Sequence, residues 1–189
     1  MIKGNYSSRK VRLLASSYMV ISDYPSVLKL ESKALLVKPS VIEKNALIFG
    51  SARVLNGKYD EAAVFFNTHC NKGRLKGKNL EWIRWFYGFT NLLNSRFAQA
   101  EEIFLSLAAS SRYILITGIS AYFLSNNLVK YSLNPEECKA VTENGRNRVV
   151  TALVNAEGWK KEVEKMADEI HIAIIRKYID EAGIWLFKS

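Results

Sequence analysis

Two phrases of this sequence can be laid one over the other: "GSARVLNGKYDEAAVFF" from Gly50 and "GFTNLLNSRFAQAEEIF" from Gly88. Counting from the leading glycine, an aromatic stands nine residues on (Tyr59, Phe97), an alanine twelve on (Ala62, Ala100) and an aromatic sixteen on (Phe66, Phe104). A third copy, "ASSYMVISDYPSVLKLESKALLVKP", begins at Ala15 and keeps Tyr24 and Val27 in register. The anchors 15, 50 and 88 lie 35 and 38 residues apart. A fainter fourth copy, "GISAYFLSNN", starts at Gly118 and places Asn127 where the aromatic would fall. A period of this size is that of a helix–turn–helix unit. One such unit cannot bury its apolar face alone, so the copies must stack. The register predicts turns near Ser22-Asp23, Asn56-Gly57 and Asn94-Ser95.

The residue types fit that reading. Small residues at the anchors let two helices approach closely, and Ala62 and Ala100 keep the second helix of each unit near the first. Outside the copies, Asn134-Pro135-Glu136-Glu137 is a helix start, with a capping Asn, Pro in the first turn and acids at the positive dipole end. From Gly158 onward, Val163, Met166, Ile170, Ile174 and Tyr178 recur at steps of three and four and predict one amphipathic helix. Strand signals are absent, so the expected class is all-α.

The phrases "NGKYDEA" and "DYPSVLKLESKALLVKP", the latter with Ala34 and a closing Pro39, resemble the tetratricopeptide-repeat (TPR) family. The resemblance spans about residues 8–127. It implies a TPR-like α-solenoid of three to four helix–turn–helix repeats, with residues 128–189 as C-terminal capping helices of a single domain, 1–189. Four positions depart from the pattern: the first anchor is Ala15 rather than Gly, Glu31 stands in an apolar slot, and His69 and Leu107 replace a later alanine. The family's register also turns Trp82, Trp85, Phe86 and Phe89 of "EWIRWFYGFTNLL" toward a concave groove. Leu47, Ile48 and Ser51 take matching places one repeat earlier, and Ile119 one repeat later. The groove so implied is apolar and aromatic. Either it holds an apolar or amphipathic segment of a protein partner, or the C-terminal helix fills it. A clamp for a terminal carboxylate does not carry over, because only Arg12 suits it among Arg12, Ser16, Ile48, Trp82 and Phe86.

Chemistry-bearing motifs are missing. His69 and Cys70 are adjacent, and adjacent helix positions do not aim at one site. His171 has no ligand partner at metal-site spacing, Cys138 has no nearby His, and neither a phosphate loop nor a nucleophile elbow occurs. The expectation is a non-enzymatic chain with no cofactor and no metal. Two distant cysteines in 189 residues form no disulfide framework, which suits a reducing, cytoplasmic setting. The run "LLASSYMVIS" follows several basic residues, but its three serines and the lack of a small-x-small cleavage pattern argue against an export signal. No stretch approaches the ~20 apolar residues of a membrane span.

The net charge of +9 points to an acidic partner, an anionic surface or nucleic acid without choosing among them. One basic cluster stands out in "NKGRLKGKN": Lys72, Arg74, Lys76 and Lys78. Arg146, Arg148, Lys160 and Lys161 form a second. The expected function is protein–protein interaction, as an adaptor, scaffold subunit or small chaperone of the size used in bacterial secretion or envelope assemblies. A basic helical-repeat protein that binds nucleic acid through these clusters ranks second.

Overall fold

The computed structural model describes residues 7–72 and 75–188. Its helices are α1 (Ser8–Val20), α2 (Tyr24–Val37), α3 (Ser40–Lys44), α4 (Ala46–Leu55), α5 (Tyr59–Asn71), α6 (Gly77–Leu93), α7 (Phe97–Ser110), α8 (Ile114–Phe123), α9 (Pro135–Leu153), α10 (Ala156–Glu164), α11 (Ile170–Ile174) and α12 (Arg176–Leu186). A π-helical turn, Leu124–Leu128, and a 3-10 turn, Val129–Tyr131, lie between α8 and α9. No strand occurs among the described residues.

The internal repeat is visible in the backbone. Ser22, Gly57 and Ser95 all adopt left-handed φ, at 59°, 71° and 58°. Each is flanked by the same pair of hydrogen bonds. Ser22, Gly57 and Ser95 donate their N–H to the carbonyls of Met19, Val54 and Leu92; Asp23, Lys58 and Arg96 donate to Tyr18, Arg53 and Asn91. These are helix-ending motifs in which one left-handed residue satisfies the last carbonyls of the preceding helix. They fall where the sequence register puts the turns. The faint fourth copy has no such residue, and the chain leaves α8 through its π and 3-10 turns instead.

Side chains explain the register. A Cβ built on Gly50 would lie 2.2 Å from the Phe66 ring, and one on Gly88 would lie 3.2 Å from Phe104. The anchor is small because the aromatic sixteen residues later sits against it. In the first copy the anchor is Ala15 and the corresponding position is Glu31, which instead bonds Arg53. Val27, Ala62 and Ala100 are all buried. The aromatics nine residues after each anchor are not fully enclosed: Tyr59 is exposed, and Tyr24 and Phe97 are half-buried, Phe97 lying flat on Tyr131.

Helices adjacent in sequence are adjacent in space, α1 on α2, α4 on α5, then α5 through α9 in succession, and α4 also touches α6, as α6 touches α8. The expected single helix after Gly158 is three helices, with breaks at residues 165–169 and at Ile175. A straight helix over residues 159–187 would be about 43 Å long and would carry its ends apart. The breaks fold it back, so that the Trp159 indole N–H of α10 donates to the Ile179 carbonyl of α12 at 3.1 Å. Among the described residues, no helix is long and apolar enough to cross a membrane.

Candidate docking site

The aromatic stripe of α6 is interior. Trp82 is 1% exposed and Trp85 and Phe86 not at all, with Phe89 also buried. The cover is the chain's own C-terminal segment. His171 of α11 meets Trp82 edge-on at 5.0 Å and Phe86 at 6.3 Å, and Tyr178 of α12 meets Phe89 at 5.5 Å. Ile48, Ser51 and Ile119 are buried as well, and Leu47 is half-buried. Of the two readings of the implied groove, an open partner site or one filled by the C-terminal helix, the burial of these residues beneath α11 and α12 agrees with the second. The physical reason is the area of aromatic surface, which would remain in water if α11 and α12 did not lie on it.

The basic clusters divide. Lys72, Lys76 and Lys78 are exposed, while Arg74 lies outside the described residues. Arg148 is occupied: its guanidinium donates to the carbonyls of Ala108, Ala109 and Ser111 and closes the end of α7. Arg146 likewise donates to the carbonyls of Leu186 and Lys188 after α12. Both serve the negative ends of helices, a use of arginine that net charge alone does not reveal. Burial pushes the Cys70 thiol up to about 11 and raises that of Cys138, so both stay protonated at neutral pH. Among the described residues, no three His, Cys, Asp or Glu side chains gather in metal-binding reach.

An open apolar surface lies elsewhere, between α2, α3 and α5. It begins with Glu31, the residue that breaks the repeat. Its carboxylate receives two hydrogen bonds from Arg53 of α4, at 2.7 and 3.1 Å, and Arg53 also donates to the Phe49 carbonyl at 3.0 Å. Both partners are mostly buried. A bidentate pair of this kind fixes orientation as well as charge. The guanidinium lies 4.3 Å over the Phe65 ring, and Phe65 lies 4.2 Å from the His69 ring. His69 Nδ1 is 2.8 Å from the Phe65 carbonyl, and burial lowers its pKa, so it is neutral at pH 7.

This stack floors a cavity of about 610 Å³ whose lining includes Leu35, Ile42, Val64 and Phe65. Leu35 is 52% exposed and Val64 66% exposed. Of the charged residues around it, Glu31, Glu43, Asp60 and Glu61 are acidic against Arg53 and Lys72. Three of these carboxylates are already paired, Glu31 with Arg53, Asp60 with Arg96 and Glu61 with Lys58, so the rim is charged but largely neutralised. Sequence reasoning missed it; the signal available was Glu31 itself, a carboxylate in an apolar slot of the repeat.

The chain matches the model of a family described as "Uncharacterised Treponema protein" over residues 26–188. It is also 25% identical over 192 residues to a protein of Treponema pallidum (strain Nichols) described as "Uncharacterized protein". That alignment covers 95% of this chain and 58% of the relative, so the chain spans well under two thirds of the relative's length. No solved structure matches. The tetratricopeptide assignment is overturned by these matches, none of which is to that family. A small anchor, a left-handed turn and a returning aromatic are a general solution to packing antiparallel helices closely, so phrases such as "NGKYDEA" arise outside it. The matched span runs from the first turn of α2 through the end of α12, and the chain belongs to this Treponema family.

Proposed function

We propose that this protein is a non-catalytic interaction module, an adaptor, scaffold subunit or small chaperone, built as a short solenoid of helix pairs that fills its own inner face. Its partner docks on the outside, in the groove between α2 and α5. The observation that supports this is the open apolar cavity of about 610 Å³ over the ordered Glu31–Arg53–Phe65–His69 stack. A cavity of this size, mostly apolar with a few fixed polar groups, suits a short peptide segment. The protonated, unpaired thiols of Cys70 and Cys138 suit a reducing cytoplasmic setting.

The nucleic-acid reading is weakened because Arg146 and Arg148 are spent on helix ends. The experiment is site-specific photo-crosslinking in cells. A crosslinking residue at Val64 should trap a defined protein, and Leu35→Asp should abolish the adduct. The same residue at Leu133, which is exposed far from the groove in sequence, should trap none. Equal adducts at both positions, or an adduct indifferent to Leu35→Asp, would refute docking in this groove.

A further inference from the structure

A second cavity, of about 310 Å³, shares no residue with the outer groove. It is lined by Lys78 and Trp82 of α6, Arg112 and Tyr113 before α8, the first turn of α8 (Ile114, Leu115 and Ile116), Leu153 at the end of α9, and Glu162, Lys165 and Met166 at the end of α10. Three features of the lining point the same way. Ile114, Leu115, Leu153 and Met166 give it apolar walls. Lys78, Arg112 and Lys165 supply three cations against one carboxylate, Glu162, which is already held by Lys165. Lys78 and Arg112 are exposed and form no ion pair among the described residues.

The third feature is Trp82. Its ring is almost fully buried and forms part of the cavity wall. The positive end of the α8 dipole lies in the same wall.

We propose that this cavity binds a small organic anion with an apolar body, the chemistry of a free medium-chain carboxylate. The alkyl or aryl part lies against Ile114, Leu115, Leu153 and Met166. The carboxylate is held between Lys78 and Arg112, and the apolar body also touches the Trp82 ring. Pure anions lack the apolar contact, and neutral amphiphiles lack the charge, so neither alone satisfies the site.

The test uses the full chain and octanoate as the probe, followed by calorimetry and by the indole N–H resonance of Trp82, identified through Trp82→Phe. Octanoate should bind and shift that resonance, and octanol and inorganic phosphate should each bind at least tenfold more weakly. The exposed double variant Lys78→Glu with Arg112→Glu should weaken octanoate at least tenfold and leave the unfolding temperature unchanged. Should that variant unfold, Lys78→Ala with Arg112→Ala must give the same loss. The proposal is overturned by absence of octanoate binding, by octanol or phosphate binding as well as octanoate, by an unmoved Trp82 resonance, or by folded charge variants that bind octanoate normally.

Discussion

The inner side of α6 and the outer side of α2 and α5 are both apolar, yet one is sealed and the other open. Trp82, Trp85, Phe86 and Phe89 lie beneath α11 and α12 in a cluster that also takes in Phe104 and Phe123. Leu35, Leu36 and Val64 have no such cover, and most of the exposed large apolar side chains lie in the first third of the chain. The difference is one of side-chain size and supply of chain. The central stripe presents large aromatic area, and the C-terminal helices come back over it. The N-terminal pairs form their own smaller, largely aliphatic cluster around Val11, Val27 and Ile42, with Phe49 as its one fully buried aromatic, and Ile170 and Ile174 of the returning segment reach it at one edge. Exposed apolar surface is informative when it is left over after the chain has covered what it can.

Removing the seal should have the largest effect. Ile179 of α12 is fully buried. Ile179→Asp would place an unpaired charge under the cover and should cost more than about 4 kcal/mol. Near-ultraviolet circular dichroism should collapse while far-ultraviolet helicity is largely retained. A variant with native near-ultraviolet signal would mean that α12 does not seal the stripe.

Next comes the stripe itself. Trp85→Ala should cost about 3–5 kcal/mol in denaturant unfolding, because the site is enclosed by Phe86, Phe89, Phe104 and Phe123 and cannot collapse fully. A loss below about 1 kcal/mol would place Trp85 at a surface rather than in a core.

A third effect depends on pH. Burial, with smaller contributions from Lys78 and Arg12, lowers the pKa of His171 from 6.5 to about 3. The nearest carboxylate, Glu169, is 4.0 Å from Nδ1 and is itself bonded to Arg12. The folded chain therefore keeps His171 neutral in a range where the unfolded chain protonates it. Stability is complete above 6.5 and falls as pH drops toward 3, by about 2 kcal/mol at pH 5 from this residue. His69 contributes in the same direction, so the measurement is the difference in pH slope between the natural chain and His171→Phe. Equal slopes would mean that the cover opens freely and His171 titrates in water.

The smallest effect should be on the open side. Leu36 is 87% exposed. Leu36→Ser should change stability by less than about 0.5 kcal/mol. A larger loss would show that this surface is already covered in solution, by a second copy or by another part of the chain.

The sequence alone determined the helical class, the three turns and the close contacts beneath them. These are local matters: left-handed φ at Gly57, a capping Asn134 before Pro135, and a small residue set a fixed number of positions before an aromatic. Glu31 was legible as an irregularity and not as a site, because its partner Arg53 lies 22 residues away and the pair has no fixed spacing to read. The spacing of Val163, Met166, Ile170, Ile174 and Tyr178 foretold an apolar face but not its two bends. Only the tertiary structure decided that the segment folds back over α6, that Arg146 and Arg148 close helix ends, and that the groove between α2 and α5 stays open. Periodicity says which residues must leave water; which neighbour covers them depends on the path of the chain through space, and that is set by all the packed surfaces together.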